Sequence, residues 1–183
     1  MSEEQTVVLG VTGGIAAYKA ADLASKLVQS GITVKTIMTY SAAEFITPLT
    51  FRNLTGQPVV MDMFDLESEY SVEHVALAEA ADVVVIAPAT ANIIAKIACG
   101  IADDSLTCTI LATEAPVVVA PSMNDNMYKN PITQENIEKL KTRGFIIVEP
   151  EFGRLASGKI GQGRLADLEK IIEVVKATLD NKR

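Results

Sequence analysis

A chain of 183 residues with 49% hydrophobic and 21% charged residues is sized and composed for one globular domain with its own core. Sixteen Lys and Arg against 23 Asp and Glu give a net charge of −7 and a pI near 4.8. That balance argues against nucleic-acid backbone binding, and the absence of Trp leaves little for a base-stacking platform.

Thr6–Val11 reads as a first strand and residues 16–29 as a helix stopped by Gly31. Residues 33–38 form a second strand. Residues 41–54 read as two short helices divided at Thr47-Pro48, with Gly56 ending the second. A weak strand at 59–61 follows, then a helix starting near Val72 within 67–80. Residues 83–87 are an apolar strand of the kind covered on both faces. Helices are predicted at 90–99 and 104–113, a strand at 117–120, and a helix at 132–143 opened by Asn130 and Pro131. A last strand at 145–148 and a terminal helix capped by Asp167 close the chain. Alternating β and α elements imply an α/β, doubly wound parallel sheet of Rossmann or flavodoxin-like type, in a single domain spanning 1–183.

Residues 150–164 stand apart. They carry four glycines, Arg154, Lys159 and Arg164, and no apolar period, which suggests a flexible functional loop or lid. Cys99 and Cys108 fall in helical patterns, make no disulfide framework, and are expected to be small buried residues. The apolar region 81–102 is broken by Asp82, Pro88, Asn92 and Lys96, so no membrane span is predicted. With no leader pattern before Thr6, a cytoplasmic location is expected.

Chemistry concentrates at strand ends, where α/β sheets build ligand sites. Gly10-Val11-Thr12-Gly13-Gly14-Ile15 joins the first strand to a helix, a pattern suited to an anion. It lacks the spacing of a dinucleotide fingerprint and the Lys-Ser/Thr pair of a P-loop, and a tight βα turn alone would also need glycine. Thr39-Tyr40-Ser41 brings two hydroxyls to the next strand end, and Ala87-Pro88-Ala89-Thr90-Ala91-Asn92 offers small residues beside polar ones. Pro121-Ser122-Met123-Asn124-Asp125-Asn126-Met127-Tyr128 follows a buried strand with two thioethers, an amide and a phenol that packing does not require. His74 is the only histidine; without Cys-x-x-Cys no metal site is expected, and general-base work is its natural role if it is catalytic.

In order and spacing these motifs, with Glu73-His74-Val75 and the late glycine loop, resemble the homo-oligomeric flavin-containing cysteine decarboxylases, over about residues 7–168. Within that family the resemblance is greatest to enzymes that convert 4′-phosphopantothenoylcysteine to 4′-phosphopantetheine for coenzyme A. It implies FMN held by Gly13, Gly14, Ile15, Thr39, Ser41, Thr90, Ala91, Asn92 and Ser122. It implies a cysteine-derived substrate held by Asn124 and Met127 and covered by Arg154, Leu155 and Ala156, with His74 as base. It also implies a flavin site between the subunits of a homotrimer, with trimers assembling further into a dodecamer, and no nucleic-acid or membrane partner. The synthetase domain often fused after this one is missing from the sequence, so the expectation is either a stand-alone enzyme with a separate phosphopantothenate-cysteine ligase as partner or an isolated domain of a longer protein. The implied reaction oxidises the cysteine moiety at the flavin, releases CO₂ to leave an enethiol, and reduces that product again. Where the family's loop reads Ala-Cys-Gly, this chain reads Ala156-Ser157-Gly158, and a hydroxyl is a far weaker proton donor than a thiol. Ser157, the second catalytic candidate, either positions a water or another donor for that reduction or leaves it slow or absent, which keeps open a decarboxylase of a peptidyl or other cysteine adduct that stops at the enethiol. A flavin-binding regulatory protein without catalysis is a further alternative. A flavin prenyltransferase is disfavoured by the Asn124 motif and His74.

Overall fold

A computed structural model describes residues 5–64 and 73–181. The expected start near Val72 lies outside them; the helix is described from Glu73. Six strands, β1 (Thr6–Val11), β2 (Thr33–Met38), β3 (Val59–Val60), β4 (Val83–Ala89), β5 (Val117–Pro121) and β6 (Ile146–Ile147), form one sheet in the order β3-β2-β1-β4-β5-β6. Every pairing is parallel. Because side chains alternate along a strand, each central strand feeds two separate cores. Val7, Leu9, Val11, Val83, Val85 and Val118 face one side, and Val8, Val84, Ile86, Val117 and Val119 face the other.

The first face is closed by α1 (Ala17–Gln29), α3 (Pro48–Thr55) and the terminal helix α9 (Leu168–Asn181). Helix α1 buries Ala17, Ala20, Leu23, Ala24 and Leu27, the spacing of a single apolar stripe. The second face is closed by α4 (Glu73–Ala80), α5 (Ala91–Cys99), α6 (Ser105–Ala112) and α8 (Pro131–Thr142). Two short helices sit at the carboxyl edge of the sheet: α2 (Tyr40–Ala43) after β2 and α7 (Asp125–Lys129) after β5. The sheet order reverses between β1 and β4, so their carboxyl ends diverge into a crevice. Among the described residues no helix is long and apolar enough to cross a membrane.

Two expectations need correction, and one element was not anticipated. Residues 150–164 are not an irregular loop: β7 (Glu151–Arg154) and β8 (Ile160–Arg164) pair as an antiparallel hairpin. Leu155 accepts a hydrogen bond from the Gly158 N–H, and Gly158 sits at φ +82°, the geometry of a three-residue hairpin turn. The strands escaped detection because their inner face alternates glycine, at Gly153, Gly161 and Gly163, rather than apolar side chains. Helix α7 was missed because five residues are too short to show a period. Cys99 is exposed and Cys108 only partly buried. Cys99 lies off the stripe of Ile93, Ile94, Ile97 and Ala98 that α5 turns to the core, and Cys108 Sγ rests 3.4 Å from Met63 Sδ.

Candidate functional site

The carboxyl ends of β1, β2, β4 and β5, together with the hairpin, enclose a cavity of about 1280 Å³. That exceeds the space one drug-sized ligand usually fills and leaves room for a cofactor with a substrate beside it.

The β1 end is built around Thr12, which is 2% exposed. Its Oγ1 donates to the Pro88 carbonyl at 2.6 Å and accepts the Thr90 N–H at 3.2 Å, pinning the end of β1 to the end of β4. Next to it, Gly13 lies so close to Ser41 that a Cβ would sit 2.7 Å from the Ser41 carbonyl carbon. Helix α1 then begins at Ala16 without a side-chain cap. Gly14, Ile15 and Ala16 line the cavity, so the helix turns the positive end of its dipole there, with the Ala17 N–H already bonded to the Gly14 carbonyl at 2.8 Å. The neighbouring helices are capped by threonines: Thr39 Oγ1 accepts from Ala42 N–H and Thr90 Oγ1 from Ile93 N–H.

At the end of β5, Asn124 is the N-cap of α7, its Oδ1 accepting the Asn126 N–H at 2.9 Å. That contact fixes the amide's orientation and leaves its NH₂ as the donor for a bound molecule. Helix α7 is anchored on its far side by Tyr128, 6% exposed, whose hydroxyl donates to Glu149 Oε2. Burial raises the Tyr128 phenol and the carboxylate beside it raises it further. Burial also pushes Glu149 upward, but hydrogen bonds from Lys141 and Tyr128 outweigh it and hold the carboxyl below its ordinary value. Tyr128→Phe is expected to cost about 1.5–3 kcal/mol, the range for a hydrogen bond to a charged group, in urea unfolding.

Among the described residues, four cations, Lys19, Lys96, Arg154 and Arg164, line the cavity against two carboxylates, Asp103 and Asp104. Lys96 bonds both acids, at 2.7 and 3.3 Å, and its hydrogen bond to Asp103 raises its pKa. Arg164 is shared with Glu151, whose Oε2 lies 3.9 Å from its Nε, and Lys19 and Arg154 add positive charge to the lining in a chain of net charge −7. This favours an anionic ligand.

The cavity brings together Gly13, Gly14, Ile15, Thr39, Ser41, Thr90, Ala91, Asn92, Ser122, Asn124, Met127, Arg154, Leu155, Ala156 and Ser157. His74, on α4, is not among the residues lining it. Sequence reasoning did not single out Thr12, whose signal was a hydroxyl directly after a buried strand. It also missed the Lys96–Asp103–Asp104 cluster, which is local to one helix junction and has no motif.

A model of the family described as Flavoprotein matches residues 1–180. The chain belongs to the Flavoprotein family. This flavoprotein is 47% identical over 166 residues to the coenzyme A biosynthesis bifunctional protein CoaBC of Vibrio cholerae, covering 91% of the chain and 42% of that protein. It is also 47% identical over 176 residues to the CoaBC of Bacillus subtilis, covering 96% of the chain and 43% of that protein. The flavoprotein thus spans about two fifths of the length of these relatives. Among solved structures it resembles a PPC decarboxylase carrying a cysteine-to-serine substitution, complexed with pantothenoylaminoethenethiol. The TM-score is 0.87 at 32% identity, covering 97% of this chain and 100% of that one. It also resembles the FMN-dependent cysteine decarboxylase SpaF, with a TM-score of 0.84 at 35% identity over 98% of each chain.

Proposed function

We propose that this flavoprotein is an FMN-dependent decarboxylase of 4′-phosphopantothenoylcysteine, acting in coenzyme A synthesis in the cytoplasm. The observation that carries the reading is the basic cavity at the sheet's switch point, roomy enough for two molecules, with the Asn124 turn on one wall and Arg154 to Ser157 on another. The coenzyme A relatives and the PPC decarboxylase fold support it.

The residues present suit FMN. The uncapped start of α1, beside the Gly13–Ser41 contact, suits a phosphate. Thr90, Ala91, Asn92 and Ser122 offer small walls and polar groups for a flat ring. Bound FMN would supply the two-electron acceptor that makes loss of a carboxylate from the cysteine moiety feasible. The chain's own groups do the rest. The Asn124 amide orients the cysteine carboxylate, Arg154 and Arg164 meet a phosphorylated substrate, and His74 removes a proton.

Exposed Ile15, Tyr18, Tyr40 and Met127 on the cavity lining support a homo-oligomer, a trimer in this reading and trimers joined into a dodecamer beyond that. Ligation of cysteine to phosphopantothenate would fall to a separate ligase or to a further domain.

One residue favours a second reading, in which the product leaves as the enethiol. Ser157 stands at the hairpin turn lining the cavity, where a thiol would be the stronger acid. The substituted PPC decarboxylase, in complex with an aminoethenethiol, gives the same direction. A product mass from the phosphorylated substrate separates the readings: 4′-phosphopantetheine, or a species two hydrogens lighter. Ser157→Cys is expected to raise formation of the saturated product roughly 10²-fold, the scale of a placed proton donor. No CO₂ release by FMN-loaded protein would sink the decarboxylase and leave a binding protein.

A further inference from the structure

We propose that Asp125 is a positioning residue for the substrate side of the cavity, acting as the latch that fixes the Glu151–Arg164 hairpin. The proposal rests on the reading that this hairpin covers the substrate. Asp125 does not line the cavity. Its Oδ1 accepts the Gln162 N–H at 3.0 Å, tying the first residue of α7 to the middle of β8. A second link lies beside it, from the Met123 N–H to the Gly163 carbonyl at 2.9 Å.

Strand β8 is shaped for these two bonds. A Cβ on Gly161 would come within 2.7 Å of Asp125 Cγ, and one on Gly163, at φ +136°, would overlap the Met123 carbonyl oxygen. Only a strand stripped to glycine on that face brings the Gln162 amide within reach of the carboxylate. Lys129, one turn along α7, approaches Asp125 Oδ1 at 2.9 Å and Oδ2 at 3.1 Å, so the carboxylate is held from both sides.

The hairpin needs such an anchor. Two strands alone are marginally stable in water, and among the described residues β7 pairs only with β8. The pose of Arg154, Leu155, Ala156 and Ser157 over the cavity therefore follows the pose of β8, which Asp125 and the Met123 link set. Asn124 and Asp125 are adjacent, so the residue that orients the ligand and the one that holds its cover are fixed by the same short helix. Substrate contacts on the two walls are thereby kept in register.

The test uses the FMN-loaded protein and compares Asp125→Ala, Asp125→Asn and Gly161→Ala with the wild type. Backbone hydrogen exchange at Gln162 and across 154–160, without substrate, is expected to quicken at least about tenfold in Asp125→Ala and Gly161→Ala. Asp125→Asn keeps an acceptor oxygen and should restore most of the protection. In turnover of 4′-phosphopantothenoylcysteine, Asp125→Ala should raise KM about tenfold or more while kcat changes less and flavin content stays the same. Unchanged exchange at Gln162 in Asp125→Ala overturns the latch. Faster exchange with an unchanged KM overturns the positioning role. A wild type without turnover defeats the decarboxylase reading alone, because the exchange arm needs no substrate.

Discussion

Exchanging His74 for Asn is expected to abolish turnover, by about 10²- to 10⁴-fold, while FMN remains bound, because a positioned general base contributes on that scale. The fold gives this prediction a sharper form. His74 lies on α4, which packs on the second face of the sheet, and it is not among the residues lining the cavity. Asn124 lies at the cavity. In the proposed oligomer, a His74 that acts on the substrate held by Asn124 is expected to come from the neighbouring subunit. His74→Asn and Asn124→Ala chains, each inactive alone, should then complement when co-assembled. In a head-to-tail ring each site pairs one residue from each neighbour, so a random equal mixture should regain about a quarter of the wild-type sites. Turnover by co-expressed, differently tagged chains measures this. Absence of complementation with both chains in one oligomer would place His74 and Asn124 in the same subunit's chemistry. Full activity of His74→Asn would remove it from the mechanism.

The sheet and its ligand crevice were legible because their signals are local and redundant. Val83 to Ala87 reads as a strand buried on both faces from composition alone, and the described strand includes it. Gly13, Thr39, Thr90 and Ser122 were placed together by one topological rule, that parallel strands end at the same edge, and they do line one cavity. What stayed hidden depends on contacts distant in sequence or on negative features. The hairpin has no apolar alternation, since its inner face had to be glycine to approach Met123 and Asp125. Thr12 looked like part of a glycine turn, and its role as the bond between two strand ends required knowing that β1 and β4 are neighbours. Cys99 followed a helical pattern, but one position off the apolar stripe is enough to expose it.

The second large effect is expected at Gly13. A methyl there would press on the Ser41 backbone at 2.7 Å, and Ser41 belongs to α2, whose first turn is fixed by the Thr39 cap. Neither side has a flexible end that could yield, so Gly13→Ala must spread the β1 turn from the β2 turn. Overpacking of this kind costs about 1–3 kcal/mol, and it falls on the two segments proposed to share the FMN phosphate. Gly14 is the internal comparison: its added Cβ meets nothing closer than Thr90 Cγ2, at 3.6 Å. Gly13→Ala should therefore weaken FMN binding by up to about 100-fold, the upper end of what one hydrogen bond to a charged group is worth, whereas Gly14→Ala should lose far less. Flavin fluorescence titration reads the difference directly. Thermal melts provide the control, because a ligand at 100 times its Kd stabilises the wild type by about 2.7 kcal/mol, a gain that Gly13→Ala should largely forfeit at the same FMN concentration. Equal FMN affinity in the two alanine variants would show that the phosphate does not lie where Gly13 meets Ser41, and would move it along the cavity towards Lys19 or Arg164.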